Sequence, residues 1–346
     1  MESHFPSDKN APSKFSKEED EISPKTLETC RDIVSALPRE NGWKAYGDIC
    51  FYKGFWCYSY LLEGAIFAQD HYKAQPTDIF ICSVPKSGTT WLKALTFSIV
   101  TRTQFDNSTT PLRTQNPHTC VPVLERDFSR KGIKRPGSLP LMSTHMPYAS
   151  MPKSIIDSGC KIVYICREPK DSEPKDSFVS LWHYASKLRA GLQEPMSLEE
   201  TFELFCKGFS DYGPYWDHLL GYWKASLEQP EKILFLKYED LIKDTSFSVK
   251  KMAEFMGYPF SLEEEKEGKI QDIVQFCSFE NMSNLEISKT GKYSSDSILV
   301  EIKTLYRKGK IGDWKNCLTA EMAERLDKIT EQKLGEFGLS FAKNDA

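Results

Sequence analysis

A short apolar run that leads into a polar turn, within residues 78–93, constrains the fold most strongly. The run begins after Asp78 and ends at Pro85, a length and composition that predict a buried parallel strand. After the turn, Thr89 and Thr90 open an amphipathic stretch that predicts a helix. A strand that passes through a turn into a helix N-terminus aims free backbone N–H groups and the positive end of the helix dipole at one point. The sequence therefore predicts an anion site here, most often a phosphate site.

The side chains of this turn agree with an anion site. Lys86 supplies a cation, the Ser87 hydroxyl adds a donor, and Gly88 permits close approach of the backbone to a ligand. The turn is not a nucleotide-triphosphate P-loop, which needs two glycines around four residues and a Gly-Lys-Ser/Thr ending, because here a single glycine follows the lysine. The alternative is an ordinary strand–turn–helix unit whose lysine is exposed.

Chain length limits the number of domains, and net charge limits the classes of partner. With 346 residues and a net charge of −4, the sequence predicts a disordered, charged tail over 1–23 and a single domain over 24–346. The near-neutral balance argues against nucleic acid or a membrane surface as the main partner. No apolar run approaches the ~18–20 residues of a membrane span, and the N-terminal stretch has no apolar signal-peptide core. We therefore expect a cytoplasmic protein.

The spacing of cysteines and histidines does not indicate a metal site. The ten cysteines are scattered without a C-x-x-C pair, and the six histidines show neither H-x-x-x-H nor H-E-x-x-H spacing. We therefore expect reduced cysteines and no metal.

Further apolar runs at 139–143, 161–166 and 232–236 predict strands that alternate with helices. This alternation predicts an α/β fold, with a central parallel sheet, helices on both faces and a P-loop-like anion-binding loop. In such sheets, ligands bind beyond the carboxyl ends of the strands. Four polar residues each follow a predicted strand, and we expect them to meet at that edge: Lys86, His145, Arg167 and Tyr238.

The remaining segments are assigned from periodicity and turn residues. Helices are predicted over 24–37, 177–188, 198–224 and 319–337, and irregular loops over 103–140 and 288–296. A loop as long as 103–140 is typical of segments that cover binding sites. The stretch 51–60 is unusually aromatic, which favours core packing for most of its rings, with the wall of a flat acceptor pocket as the alternative.

Two more motifs are candidates for chemistry. A histidine such as His145, placed beside an anion site, can take a proton from a hydroxyl nucleophile, because its pKa lies near neutral pH. The alternative is a histidine that only forms hydrogen bonds in a turn. Near the C-terminus, Arg307 and Lys308 precede Gly309, and two adjacent cations before a glycine can bind a phosphate. A charged run by itself is more often a solvated face.

Three strings together resemble the cytosolic sulfotransferase family, and its plant soluble members in particular. They are Pro-Lys-Ser-Gly-Thr-Thr-Trp-Leu-Lys at 85–93, Thr-His-Met-Pro at 144–147 and Arg-Lys-Gly-Lys-Ile-Gly-Asp-Trp-Lys at 307–315. Cys-Ser-Phe-Glu-Asn at 277–281 adds to the likeness, which extends over nearly the whole chain after the tail.

The resemblance implies an enzyme that moves a sulfuryl group from 3′-phosphoadenosine 5′-phosphosulfate (PAPS) to a hydroxyl of a small acceptor, without a metal. It implies that His145 is the general base and that Lys86 neutralises charge on the leaving oxygen. The resemblance also implies a set of donor-binding residues: Lys86, Ser87, Gly88, Thr89 and Thr90 for the phosphosulfate, Trp91 and Phe279 around the adenine with Tyr238 and Cys277 at its edge, and Arg167, Ser180, Arg307, Lys308 and Gly309 for the 3′-phosphate.

The chain departs from the family pattern close to this donor site. Glu-Pro-Lys-Asp-Ser occurs twice in tandem over 168–177, so Arg167 and Ser180 lie five residues further apart in sequence than in the family pattern. Our hypothesis is that both residues still reach the 3′-phosphate, with reduced donor affinity. In addition, Ser143 stands where many animal members have a lysine two residues before the base, and we assign it no catalytic role.

The sequence leaves the oligomeric state open. Lys315, Thr319 and Glu324 match a dimerisation motif of homodimeric relatives, but Ala320 replaces its valine.

We expect the acceptor to be a flat phenolic such as a flavonol, because of the aromatic stretch 51–60. Plant members of the family also act on brassinosteroids, desulfo-glucosinolates or hydroxyjasmonate, and these acceptors stay open. Two other classes are alternatives. A non-catalytic phosphoadenosine-binding protein would result if the tandem insert impairs the site, and a nucleotide-dependent kinase would require the Walker-type Gly-Lys-Ser/Thr that is absent.

Overall fold

The computed structural model describes residues 24–43, 47–129, 139–167, 174–189, 196–295 and 298–339. The strands are β1 Arg39–Glu40, β2 Ile49–Tyr52, β3 Phe55–Tyr58, β4 Ile79–Ser83, β5 Leu141–Thr144, β6 Lys161–Cys166, β7 Ile233–Lys237, β8 Lys292–Ser295 and β9 Ile298–Glu301. The helices are α1 Pro24–Ser35, α2 Ser59–His71, α3 Thr89–Thr101, α4 Pro117–Cys120, α5 Lys153–Asp157, α6 Lys175–Arg189, α7 Leu198–Cys206, α8 Tyr215–Glu228, α9 Tyr238–Lys243, α10 Thr245–Met256, α11 Leu262–Lys266, α12 Lys269–Phe276, α13 Phe279–Asn284, α14 Glu286–Thr290 and α15 Ala320–Leu334.

Strands β4 to β7 form a parallel sheet in the order β5-β4-β6-β7. Alternate residues of its strands enter two hydrophobic clusters, because successive side chains of a strand point to opposite faces. Phe80 and Tyr164 belong to one cluster, together with residues of α2 and α8. Ile81 and Val163 belong to the other, together with residues of α3 and α10. Both faces are therefore covered by helices, and the predicted α/β class is confirmed.

The predicted strands match β5, β6 and β7 to within two residues at each end. Part of the aromatic stretch 51–60, for which no strand was predicted, forms an antiparallel hairpin, β2–β3, around Lys53 and Gly54, both with positive φ. Two other predictions are wrong. The helix predicted over 198–224 is two helices, because α7 ends at Cys206 and α8 begins only after Pro214, its N-cap residue. The loop predicted over 288–296 contains part of α14 and strand β8, which pairs with β9.

The predicted disordered tail, 1–23, lies outside the described residues. The single-domain assignment over 24–346 stays a prediction. Within the described ranges, no helix combines the length and the apolar composition needed to cross a bilayer.

Helix α2 packs closely against a π-helical turn, Leu124–Phe128, at Gly64. A Cβ atom at Gly64 would lie 1.8 Å from the carbonyl oxygen of Glu125, so only glycine fits this contact. Gly221 in α8 differs, because a Cβ there would lie 3.7 Å from its nearest neighbour, Tyr148 Cβ.

We expect Gly64→Ala to lower the free energy of unfolding by about 1–3 kcal/mol, since the π-helical turn must move to admit the methyl group. Gly221→Ala is the matched control and should raise that free energy by about 0.5–1 kcal/mol through helix propensity. Urea unfolding midpoints test both values, and equal midpoints for the two variants would contradict the packing argument.

Candidate functional site

A cavity of about 420 Å³ opens beyond the carboxyl ends of the parallel strands. Lys86, His145, Arg167 and Tyr238, which follow β4, β5, β6 and β7, all line it. Of the site residues named from sequence, all but Ser87 line this one cavity. Ser87 is fully buried below the turn, where its hydroxyl lies 3.1 Å from the hydroxyl of Ser177. The structure thus brings together residues that are far apart in the sequence.

The turn between β4 and α3 has an unusual backbone. Lys86 has φ 70° and Gly88 has φ 114°, so both are in the left-handed region, which is uncommon for a lysine. A Cβ atom at Gly88 would lie 2.9 Å from the Tyr238 ring, which explains the glycine. Alternating backbone conformations of this kind, next to a helix N-terminus, point N–H groups into a concave anion site.

Positive charge converges on this turn. Burial, and to a smaller extent the nearby cations Arg307, Lys187 and Arg167, lower the pKa of Lys86 from its usual value to about 7. The Lys86 ammonium also lies 4.5 Å from the ring centroid of Tyr184. Each of these cations disfavours the charged form of the others, and an anion bound between them would favour it again. This part of the cavity is therefore suited to a polyanionic ligand.

A buried chain of hydrogen bonds orients the Thr90 hydroxyl. Fully buried Lys93 contacts His118 Nδ1 at 3.1 Å and the Val121 carbonyl at 3.1 Å, and His118 Nε2 lies 3.0 Å from Thr90 Oγ1. Burial lowers the pKa of Lys93 to about 7. In its charged form this lysine only donates, so His118 then accepts at Nδ1 and donates from Nε2. Thr90 therefore accepts from His118, which leaves its hydroxyl proton available to a ligand in the cavity.

His145 is held in the tautomer that a general base requires. Its Nδ1 lies 2.7 Å from the carbonyl oxygen of Ser83, which only accepts, so Nδ1 carries the proton and Nε2 keeps its lone pair. Burial lowers the pKa of His145 to about 4; the bond to Ser83 opposes this shift, and nearby cations such as Lys93 add to it. The ring is therefore neutral at pH 7 and can accept a proton.

Glu125, which sequence reasoning missed, fixes the backbone at this histidine. Its Oε1 accepts from the His145 backbone N–H at 2.9 Å and from the Tyr212 hydroxyl at 2.8 Å. The ring centroids of Tyr212 and His145 are 5.5 Å apart. No sequence motif identifies Glu125, because both of its partners are distant in the sequence. His145 follows β5, and Tyr212 lies on the connection between α7 and α8.

A second cluster of cations lines the cavity around Arg167 and Arg307, both of which also lie close enough to Lys86 to lower its pKa. Arg167 lies 4.6 Å from the ring centroid of Tyr238 and pairs with fully buried Asp176 at 3.3 Å. Arg307 and Lys308 both pair with Asp313. Within the described part of the chain, the buried Nε atoms of Arg167 and Arg307 have no hydrogen-bond partner. Unsatisfied buried donors of this kind fit an anionic group such as a phosphate.

The second copy of the tandem repeat is built into this cluster. Asp176 accepts from the backbone N–H groups of Gly312 at 2.6 Å and Trp314 at 2.9 Å, which ties α6 to the segment after Lys308. Residues 168–173, which include the first copy, lie outside the described residues. Despite the insert, Arg167 and Ser180 line the same cavity.

Aromatic residues line the cavity together with these cations. The Trp91 and Tyr238 rings meet edge to face with centroids 5.4 Å apart, and Trp91 Nε1 is buried without a partner among the described residues. Phe279 contacts Gly309 so closely that a Cβ there would lie 2.5 Å from the ring. Burial raises the pKa of Cys277 to about 12, so this thiol stays protonated. A planar base fits between such walls.

Several cavity residues were not identified from sequence: His118, Val123, Arg126, Tyr184, Asp211, Tyr212 and Tyr293. Tyr184 follows Ser180 by four residues, so it shares a helix face with Ser180, a signal that was available. Within 51–60, Tyr60 lines the cavity, whereas Phe55 and Trp56 pack against Tyr212 and Phe209. Among the residues that the structure describes, no group of three His, Cys, Asp or Glu side chains is placed to hold a metal ion.

Comparison with known proteins agrees with the geometry. The sulfotransferase domain model matches residues 76–338. The chain is 49% identical over 316 residues to flavonol 4′-sulfotransferase from Flaveria chlorifolia, covering 90% of this chain and 97% of that protein. It is 46% identical over 319 residues to cytosolic sulfotransferase 16 from Arabidopsis thaliana, covering 91% and 93%. A crystal structure of an A. thaliana protein, described provisionally as a steroid sulphotransferase, is 35% identical with a TM-score of 0.68, covering 96% of this chain and all of that one.

The chain therefore belongs to the sulfotransferase family. It is an enzyme of the PAPS-dependent class, as the three sequence strings implied.

For His145, we expect histidine-ring NMR to show an Nδ1–H tautomer whose pKa lies well below 6.5 in the ligand-free protein, because the ring is desolvated among cations. Addition of 3′-phosphoadenosine 5′-phosphate (PAP) should raise this pKa, since the added negative charge stabilises the imidazolium. The missing signal in His145→Gln assigns the resonance. An Nε2–H tautomer, or a pKa that PAP leaves unchanged, would contradict this description.

Proposed function

We propose that this protein transfers the sulfuryl group of PAPS to a hydroxyl of a flat phenolic acceptor, a flavonol, with His145 as general base. The observation that carries the proposal is the meeting of two groups in one cavity: the neutral His145 ring with its Nε2 lone pair, and the cationic turn that bears Lys86. A base and an anion site at adjacent strand ends, β5 and β4, are what transfer between a hydroxyl and a nucleotide-bound anion requires.

The donor would lie along the cavity from the turn to the second cationic cluster. The 5′-phosphosulfate is assigned to Lys86, Ser87, Gly88, Thr89 and Thr90, with Ser87 acting through its backbone because its side chain lies below the turn. The adenine is assigned to Trp91 and Phe279, with Tyr238 and Cys277 at its edge, and the 3′-phosphate to Arg167, Ser180, Arg307, Lys308 and Gly309. The unpartnered Nε atoms of Arg167 and Arg307 support the phosphate assignment, since buried guanidinium donors need acceptors.

In the proposed reaction, His145 Nε2 accepts the proton of the acceptor hydroxyl while the hydroxyl oxygen forms a bond to sulfur. The bond between sulfur and the phosphate oxygen breaks in line, and PAP leaves with the electron pair. Lys86 and the N-terminus of α3 neutralise the charge that grows on this leaving oxygen. The phosphates raise the pKa of Lys86 again, so the lysine is charged when the donor is bound.

Similarity to flavonol sulfotransferases supports a flavonol as acceptor. Tyr60, Tyr184 and Tyr293 line the cavity and offer flat, partly polar walls to a planar ring system. Relatives named cytosolic sulfotransferases support the cytosol as the site of action.

We expect the wild-type protein to transfer labelled sulfate from PAPS to flavonols in a panel that also contains brassinosteroids, desulfo-glucosinolates and hydroxyjasmonate. His145→Gln should lower turnover by about 10²–10⁴-fold, because the base is lost, while PAP binding stays within a few-fold. ATP with magnesium, in place of PAPS, should give no phosphorylated product. Binding of PAP without transfer to any acceptor would identify a non-catalytic binder, and full activity of His145→Gln would refute the assigned base.

The tandem repeat has its own test. Deletion of residues 168–172 keeps Arg167, Asp176 and Ser180 and restores the family spacing. We expect PAP to bind up to about tenfold more tightly, because the two phosphate ligands are then held closer to their family geometry. Asp176→Asn is the opposite control, and we expect it to weaken PAP binding by about tenfold, since it removes the charge that holds Arg167 and the Gly312 and Trp314 N–H groups. An unchanged dissociation constant after the deletion would show that the insert does not affect the site.

A further inference from the structure

Asp211 lies on the connection between α7 and α8, beside the proposed base. It lines the cavity, and the next residue, Tyr212, has its ring 5.5 Å from that of His145. Tyr212 has φ 58°, in the left-handed region that an aromatic residue rarely adopts, and its ring stacks on Phe55 with centroids 6.3 Å apart. Its hydroxyl donates to Glu125. The position of Asp211 is therefore fixed by its neighbour, at the acceptor end of the cavity.

The Asp211 carboxyl has an unused hydrogen-bonding atom. Its Oδ1 is buried, and no described residue provides a partner for it. Burial and the nearby Glu125 raise the pKa of Asp211 well above its usual value, so the group tends to stay neutral and can then both donate and accept. A buried polar atom without a partner destabilises the protein unless a ligand satisfies it. The lining position of Asp211 makes a ligand in the cavity the available partner.

The proposed mechanism gives Asp211 no task. His145 serves the hydroxyl that reacts, and the donor is assigned to other residues of the cavity, from Lys86 to Gly309. Glu125 Oε1 is engaged by the His145 N–H and the Tyr212 hydroxyl. Among the described residues, Glu125 Oε2 and Asp211 Oδ1 both lack a partner, but only Asp211 lines the cavity. A flat phenolic with several oxygens brings further polar groups into the same space.

We propose that Asp211 determines acceptor specificity by hydrogen-bonding a second oxygen of the acceptor, distinct from the hydroxyl that His145 deprotonates. This inference rests on the proposed sulfuryl transfer. It predicts that the enzyme prefers phenolics with at least two oxygens, because a phenol with one oxygen leaves the buried Asp211 carboxyl without a hydrogen-bond partner.

The test compares quercetin, a flavonol with several hydroxyls, with 2-naphthol, which has one oxygen. Asp211→Leu should lower kcat/KM for quercetin by about 10- to 100-fold, mainly through KM, and should change kcat/KM for 2-naphthol far less. Asp211→Asn should stay near the wild-type value for quercetin, because the amide also donates and accepts. Retention of PAP affinity shows that each variant is folded, and Asp211→Ala replaces the leucine variant if that variant fails this check.

A series of flavonols, each of which lacks a different hydroxyl of quercetin, identifies the oxygen that Asp211 contacts. For the flavonol without that oxygen, wild type and Asp211→Leu should have nearly equal kcat/KM, because the two deletions remove the same hydrogen bond and their effects do not add. Equal losses for quercetin and 2-naphthol in Asp211→Leu, or fully additive effects for every flavonol, would overturn the inference. Absence of transfer by the wild type to any phenol would instead refute the proposed function.

Discussion

The hydrogen bond from His145 Nδ1 to the Ser83 carbonyl links the ends of two neighbouring strands, and the proposed chemistry depends on it. The same short segment, from β4 into α3, provides both this carbonyl and the cationic turn, so the tautomer of the base and the position of the anion site are set by one piece of backbone. The parallel register of β4 and β5 then fixes the spacing between the two groups. A small shift of either strand would disturb acid–base chemistry and anion binding together.

The cavity carries more positive charge than the chain as a whole. The net charge is −4, yet Lys86, Arg167 and Arg307 face one cavity, and the desolvated lysine loses much of its preference for the charged state. Asp176 and Asp313 compensate part of this charge and at the same time hold the backbone that presents the cations. A bound polyanion would neutralise the rest of this charge, so the arrangement of cations favours a ligand with several negative charges.

Local sequence signals predicted the sheet and the cationic turn because their causes are local. Apolar runs that end in polar residues mark β4 to β7, and this pattern alone brought Lys86, His145, Arg167 and Tyr238 to one edge. The β2–β3 hairpin was missed because Lys53-Gly54 is a weak turn signal beside the aromatic run. The α7–α8 connection was missed because apolar periodicity continues across Gly213-Pro214. Glu125 and Asp211 were beyond sequence reasoning, since their contacts join distant segments without a motif.

The ion pair between Arg167 and Asp176 has a consequence for how the chain varies in length. It closes the base of the connection between β6 and α6, and Arg167 and Ser180 on either side line the same cavity although five more residues lie between them than in the family pattern. The entropy of closing a loop grows only with the logarithm of its length, so five extra residues add little. An insertion here leaves the register of β6 and of α6 unchanged, whereas five extra residues inside either element would shift every buried side chain that follows them.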